Sequence, residues 1–587
     1  MDDLTLRYFD AEMRYLREAA REFAQLHPQQ AAMMGLSTPG AADESVERLF
    51  KGFSLLMGRL REKLDDDFPE LTEGVINLLW PQYLRAIPSL CVVEIAPDIH
   101  TLKGCEILET HSEVLSSPLT DKAHHCRYRT TRSLTLQPLQ LTRADLVTEP
   151  QGSHTIRLRF ACGRMADWRQ LDLTSLPLYL NAETPLASML HLYLTQRSGP
   201  ITLRLPGEID RQPFNGKFCA MGFDHHATVL PMGNTDHPGY QHLLEYFTFR
   251  EKFMFVTLSG LAEVSWPQTL PWFELDIPLM QRWPSGFAFD QQHLRLHCVP
   301  VINLFRLDAQ PLHLNDQQSE YLLRPLRDDS RYTEIFSVER IAASFHEQAP
   351  LYTPFYHLQH QGGMLRYQRP ARYYHTRIRR GPSGVNETLL ILGGDKFEQE
   401  RQSAQEPLVL SLLASNGTMP RLTLQSVLLN RLAGNTQATV TVKNLCPATM
   451  PYYPPNYDRF HWKLLSQFGS SFLWMMDNAK VLRNTLQLYD WTGSAQNQRR
   501  RDAIIDVRHY LLQRFKLGSL QRGVDIEVTI NSEGFAGEGD ICLFGSVLNR
   551  FFAQFADIHL FNRLTLIQQP SGICLRWKEN HSSPMRG

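Results

Sequence analysis

An α+β chain of several domains is predicted, and three features of its 587 residues predict it. Residues 1 to about 88 carry apolar side chains at helical spacing. From about Leu90 to Leu445, short alternating runs are cut by Gly, Pro and Asn turns. The last stretch puts strand and helix periodicity side by side. A chain this long exceeds one ordinary domain. With 43% hydrophobic and 21% charged residues it holds enough apolar material for several cores.

The first element is a helix. Leu6, Phe9, Met13, Leu16, Ala20 and Phe23 step by 3 and 4 in strict alternation. That is the narrow seam of a helix packed on other helices. A helix lying on a globular core shows a broader stripe. These six residues are therefore the candidate partner-binding set. His27-Pro28 ends the helix, because a residue before proline avoids the α region. A second helix is expected from Asp43 to Leu64, with Val46, Leu49, Phe50, Phe53, Leu56, Met57, Leu60 and Leu64 on one face. Asp65-Asp66-Asp67-Phe68-Pro69 stops it, and a third helix runs to about Leu79. The three aspartates read as a loop cap, since three consecutive carboxylates cannot all face one ion.

Residues 89–223 and 224–445 are expected to be two β-rich domains, divided near Phe223. Short runs such as Thr155 to Phe160, Leu176 to Leu180, Ile201 to Leu205 and Leu294 to Cys298 suit sandwiches or barrels. Gln399 to Glu406 is a polar loop. Pro447, Pro451, Pro454 and Pro455 stiffen a linker that opens the last domain, 446–587. Two helices are expected there, at about His461 to Met475 and Asn478 to Tyr489.

That domain closes with an α/β module. Val524, Ile526, Val528 and Ile530 alternate with Asp525, Glu527, Thr529 and Asn531, which is strand period. Gly534, Gly537 and Gly539 break the pattern, and Asp540 stands where an N-cap is wanted. Leu543, Phe544, Val547, Leu548, Phe551, Phe552 and Phe555 then recur at helical spacing and form the candidate structural core. A second strand follows, from about Leu560 to Gln568.

Chemistry is conspicuous by its absence. The G-x-x-G-x-G loop matches neither the dinucleotide nor the P-loop pattern. It carries Glu533, Glu538 and Asp540 without a lysine or arginine, and carboxylates repel phosphate. GxSxG and HExxH do not occur. His124-His125-Cys126 and His225-His226 are dense, but neighbours on a strand point to opposite faces. No catalytic, cofactor or metal residue is assigned, and no enzyme is expected. A net charge of −1 gives no field to attract nucleic acid or anionic lipid. The runs Arg377–Arg379–Arg380 and Arg499–Arg500–Arg501 read as solvated faces or protein contacts. Nine widely spaced cysteines without CxxC suit buried thiols in a reducing compartment. The acidic N-terminus is no signal peptide and no apolar run is long enough to span a bilayer, so a cytoplasmic protein is expected. Trp168, Trp266, Trp272 and Trp283 support a competing reading: a carbohydrate- or protein-binding β module of another cell-envelope machine.

Blocks along nearly the whole chain resemble the TssF (VasA/ImpG) family of type VI secretion baseplate subunits. The C-terminal run GFAGEGDICLFGSVLNRFFAQFADIHLFNRL, from Gly534, carries the resemblance furthest. Near the start it rests on Tyr15-Leu16-Arg17, Phe23-Ala24, His27-Pro28, Val46-Glu47-Arg48-Leu49, DDDFPEL from Asp65 and YLRAIPS from Tyr83. In the middle it rests on CRYRT from Cys126, Leu230-Pro231, GYQHLLEYFTFREKFMF from Gly239, CVPVINLF from Cys298 and Glu320-Tyr321. Arg250 replaces an expected proline, His375 an expected tryptophan, and ASNGTMP from Ala414 departs from the family block. The resemblance implies a structural wedge subunit without cofactors, similar to the wedge proteins of contractile-phage baseplates. Its implied partners are TssG, TssE, TssK and a second TssF copy, with sheath and spike or tube components. Its implied place is the cytoplasm of a Gram-negative bacterium, docked through the baseplate to the inner-membrane complex.

Overall fold

The computed structural model describes the chain except residues 1–2, 27–28, 30, 32–47, 58–68, 120–123, 209, 225–226, 232–237, 268, 315–317, 327–331, 344–351, 355–371, 382–385, 394–406, 422–426, 435, 456–459, 470–475, 517–518, 557–559 and 581–587. The triple aspartate, His225-His226 and the loop Gln399 to Glu406 lie outside the described residues. The α+β class is borne out: helices at the start, strands through the middle, and a mixed module at the end.

Two compact units are present, Met1–Leu84 with Pro455–Gly469, and Arg85–Pro454 with Ser470–Gly587. The first is helical: Asp3–Leu26, 48–57, Pro69–Leu79 and Phe460–Gly469. Thr72 Oγ1 lies 3.5 Å from His461 Nδ1, joining the last two of these. The helix expected to begin the C-terminal domain thus sorts with the N-terminal helices. Its buried residues Phe460 and Leu464, one turn apart, give it an apolar side.

The second unit is built on an antiparallel six-stranded sheet. Its order is Leu429–Leu432, Glu113–Ser116, Arg127–Thr130, Cys298–Ile302, Leu90–Pro97, Val440–Asn444. The end strands meet through one side chain. Asn444 Oδ1 accepts from the Leu429 amide at 2.7 Å, and its Nδ2 donates to the Val427 carbonyl at 2.8 Å. Alternate residues Cys91, Val93 and Ile95 enter the core with Tyr128, Val299 and Val301.

A five-stranded sheet (Gln212–Phe214, Ile201–Arg204, Trp272–Pro278, His154–Cys162, Leu139–Thr148) and a four-stranded one (Phe218–Ala220, Phe255–Ser259, Ser175–Leu180, Leu294–Arg295) complete this part. All three sheets pair strands from before Phe223 with strands from after it. The division expected near Phe223 is therefore corrected: it falls inside one intertwined fold. Period-two alternation identifies a strand but does not name its neighbour.

Two smaller sheets enclose a separate core of Tyr321, Ile341, Tyr374, Leu390, Leu410 and Leu412. One holds Phe305–Asp308, Leu408–Ser415 and Glu334–Ala343; the other holds Glu320–Leu322, Asn386–Gly393, Tyr373–Arg380 and Thr353–Pro354. A reciprocal pair links this region to the loop after strand Cys298–Ile302 of the six-stranded sheet. The Asn416 amide donates to Asn303 Oδ1 at 2.7 Å, and Asn303 Nδ2 donates to Asn416 Oδ1 at 2.8 Å.

At the end, the hairpin Ile504–Lys516 and Ser519–Asn531 leads into helix Glu538–Ala553. The chain then returns as Leu560–Gln569, parallel to Ser519–Asn531, and Cys574–Arg576 closes the sheet. The helix is capped by Gly537, whose φ of 122° lies in the left-handed region. Asp540 is thus not the N-cap. It sits at the third helical position and its Oδ2 reaches back to accept from the Ala536 amide at 3.0 Å.

Candidate functional site

Two features were candidates for function: the glycine loop with its helix, and the N-terminal helical surface. The helix Glu538–Ala553 packs on Thr184–Gln196 and on Pro238–Thr248. Glycines let the backbones touch. A Cβ at Gly539 would sit 2.3 Å from the Ser188 carbonyl oxygen, and one at Gly239 3.0 Å from Phe551 Cα. Leu543, Phe544, Val547, Leu548, Phe551 and Phe552 are buried, while Phe555 is half-buried and edge-on to Tyr240 at 6.0 Å.

The acidic loop turns out to be neutralised from afar. Asp540 is fully buried and accepts from Arg500 Nε and Nη2 at 3.1 and 3.0 Å, and from Arg250 Nη2 at 2.5 Å. Glu538 takes both terminal nitrogens of Arg197. These arginines were invisible to local reasoning, because they lie far from residue 540 in sequence. One of them is Arg250, which the sequence reading placed where a proline was expected. The run Arg499–Arg500–Arg501 was read as a solvated face or a protein contact; Arg499 is exposed, but for Arg500 and Arg501 the reading is corrected. Arg500 is buried on Asp540, and Arg501 Nη2 stands 3.4 Å from Asp490.

A second buried pair sits in the same region. Lys252 Nζ donates to Glu245, whose Oε1 also accepts from the Val229 and Leu230 amides at 2.8 and 3.1 Å. Burial pulls the Lys252 ammonium below its ordinary range, and Glu245 opposes that pull. Both groups are part of a buried hydrogen-bonded network.

Metal and sugar chemistry find little here. Among the described residues, no group of three His, Cys, Asp or Glu could hold a metal ion. His125 Nδ1 is spent on the Ser116 carbonyl at 2.6 Å. All nine cysteines are free, and burial pushes the Cys126 and Cys162 thiols up to about 12. The tryptophans are not an exposed platform: Trp168 and Trp283 are buried, Trp168 stacks on Trp266 at 4.5 Å, and Trp272 is covered by Arg159 at 4.4 Å. Among the described residues, no helix is long and apolar enough to cross a membrane.

The helical surface is different. Along Asp3–Leu26, Met13 is only 6% exposed and Phe9, Leu16, Ala20 and Phe23 are half-buried; the Leu6 side chain lies outside the described ones. On helix 48–57, Leu49, Phe53 and Leu56 are 71%, 50% and 68% exposed, while Ser54 is fully buried. Their i, i+4, i+7 spacing makes one open apolar stripe. Sequence periodicity had placed these residues on one face without showing that the face stays open.

An open apolar stripe, on a chain whose buried ion pairs at Asp540 and Glu245 are structural, points to assembly. Comparison with known proteins decides which one. A sequence model of the family described as "Type VI secretion system, TssF" matches residues 1–584. The chain belongs to the TssF family. The type VI secretion system component TssF1 of Pseudomonas aeruginosa is 26% identical over 99% of this chain and 99% of that protein. A chain in the cryo-electron microscopy structure of the type VI secretion system TssK-TssF-TssG baseplate subcomplex is 49% identical, with a TM-score of 0.83 over 92% of this chain and 100% of that one. A chain in the baseplate complex from the type VI secretion system is 44% identical, with a TM-score of 0.75 over 99% of this chain and 100% of that one.

Proposed function

We propose that this TssF-family chain is a structural, non-catalytic subunit of the type VI secretion baseplate wedge. It assembles with TssG and TssK, the companions in the solved subcomplex, and with TssE and a second copy of itself. The wedge templates tube and contractile sheath assembly around the spike for effector delivery, as contractile-phage wedges do. It works in the cytoplasm, docked through the baseplate to the inner-membrane complex.

The observation that carries this reading is the likeness, along 92% of the chain, to a subunit of the TssK-TssF-TssG subcomplex. The open stripe of Leu49, Phe53 and Leu56 supports it, because contiguous exposed apolar surface marks interaction sites. Met13 is already covered in the single chain. Partner contact on the first helix therefore falls to Phe9, Leu16, Ala20 and Phe23, beside the stripe on the second.

Native mass spectrometry of the full chain, alone and mixed with TssG and TssK, tests the reading. A stable complex is expected, and a chain that stays single with both present would overturn it. Hydrogen exchange over Asp3–Leu26 adds a finer check. Lone helices are marginal in water, so fast exchange is expected in the free chain and slow exchange in the complex.

A further inference from the structure

Strand Arg127–Thr130 presents two arginines with opposite fates. Arg127 Nη2 is paired with Glu113 Oε1 at 2.8 Å, and its guanidinium lies over the Phe305 ring at 4.5 Å. Arg129 is 8% exposed, its Nε is buried without a hydrogen-bond partner, and it makes no ion pair among the described residues. Its charged surroundings are Glu339, Arg306 and His111, with Glu113 opposite it on the neighbouring strand and already paired with Arg127. Glu339 is already engaged, accepting from Arg306 Nε at 2.8 Å. Burial pulls the Arg129 guanidinium below its ordinary range; Glu339 opposes the pull and Arg306 adds to it.

His111 stands beside this group at the exposed end of the turn before Glu113–Ser116. Its amide donates to the Thr130 carbonyl at 3.0 Å, and its φ of 72° lies in the left-handed region. A non-glycine residue held there marks a turn shaped by its surroundings. Glu113 is matched by Arg127 and Glu339 by Arg306, so the positive charge of Arg129 is left uncompensated among these groups. A largely buried arginine with an unpartnered Nε is unfavourable, and native folds normally supply its counter-ion. Among the described residues, no acid is hydrogen-bonded to Arg129.

We propose that Arg129 and His111 form a receptor for a carboxylate side chain presented by another subunit of the assembly. The charge count favours a carboxylate. A single negative charge completes a square of two arginines and two acids, whereas a doubly charged phosphate would oppose Glu339. The planar guanidinium fork matches a carboxylate in two hydrogen bonds. His111 contributes one further donor at the rim. The proposal rests on the baseplate reading, since the acid comes from a companion subunit.

The test uses the full chain with Arg129→Met, which keeps the aliphatic stem, and His111→Asn, which tolerates the left-handed turn. In the free chain, Arg129→Met should melt at or above the wild-type temperature, because it removes an uncompensated charge. In titrations against TssG with TssK it should weaken assembly by about tenfold or more, and His111→Asn by less. A clear drop in melting temperature of free Arg129→Met would overturn the proposal, showing that the chain itself satisfies the guanidinium. Wild-type affinity of that variant would overturn it too. If inorganic phosphate raises the melting temperature of the wild type alone while assembly of the variant is intact, the site takes a free anion and the docking proposal fails. Failure of the wild type to assemble would refute the baseplate reading, and with it the receptor's role.

Discussion

Helices 48–57 and Glu538–Ala553 are written in the same periodic pattern and meet opposite fates. In the second, Leu543, Phe544, Val547, Leu548, Phe551 and Phe552 are each at most 1% exposed. In the first, Leu49, Phe53 and Leu56 are half or more exposed. The difference comes from segments remote in sequence. Thr184–Gln196 and Pro238–Thr248 close over the C-terminal helix, and the glycines at 239 and 539 permit backbone contact there. An apolar stripe therefore reports a face that wants cover. Whether cover comes from this chain or from another is decided elsewhere.

The sharpest way to break the comparison is Phe552→Asp. Truncating a buried phenylalanine costs about 3–5 kcal/mol, and a buried unpaired carboxylate adds to that. The variant should unfold the larger unit or fail to remain soluble. A soluble protein with wild-type circular dichroism and melting would show that this face is not a core. Asp540→Asn comes next. It strands Arg250 and Arg500 in a largely buried site and should lower the unfolding free energy by about 3–5 kcal/mol in urea titration. A loss under about 1 kcal/mol would mean that the arginines have other counter-ions.

Acid should act on the larger unit through two histidines, each with a smaller effect. Burial pulls both His191 and His297 down from 6.5 to about 4. His297 Nε2 accepts from the Gln137 amide at 3.2 Å. In the unfolded chain both take up protons near pH 6.5; in the folded chain they do so only near pH 4. Their stabilisation is thus present above pH 6.5 and is lost as the pH falls towards 4. At pH 4.5 the loss should be about 2–3 kcal/mol for each, as an upper estimate. Denaturant titration of His191→Leu should show a shallower fall between those pH values. An unchanged slope would show that its imidazole is accessible to protons.

The smallest effect on stability is expected at the open stripe. Phe53→Asp should change the unfolding free energy of the free chain by no more than about 0.5 kcal/mol. The same variant should lose assembly with TssG and TssK. Unfolding of the free protein by this substitution would erase the contrast between the two helices.

Much of the fold was legible residue by residue. Strict 3–4 steps from Leu6 to Phe23 and alternation from Val524 to Ile530 correspond to helix Asp3–Leu26 and strand Ser519–Asn531. Turn residues and prolines marked many of the strand ends. Several readings did not survive, and three of them failed for a plainly non-local reason. The division near Phe223 ignored pairings such as Leu90 with Ile302. The basic run at 499–501 was judged without Asp490 and Asp540. Trp168 and Trp283 were weighed as platforms without the sheets that bury them.

Local periodicity, glycine and proline placement and the absence of ligand motifs were set by the amino-acid sequence alone. They follow from backbone geometry, which acts over a few residues: 3.6 per helical turn, two per pleat, a fixed φ at proline. The family resemblance was likewise carried by residues in order along the chain. Only the tertiary structure decided which strands pair, which charges are neutralised and which apolar faces stay open. Those outcomes depend on contacts such as Arg197 with Glu538 and Arg250 with Asp540, between residues hundreds of positions apart. Electrostatic and packing energies depend on distance in space, and chain order does not record that distance.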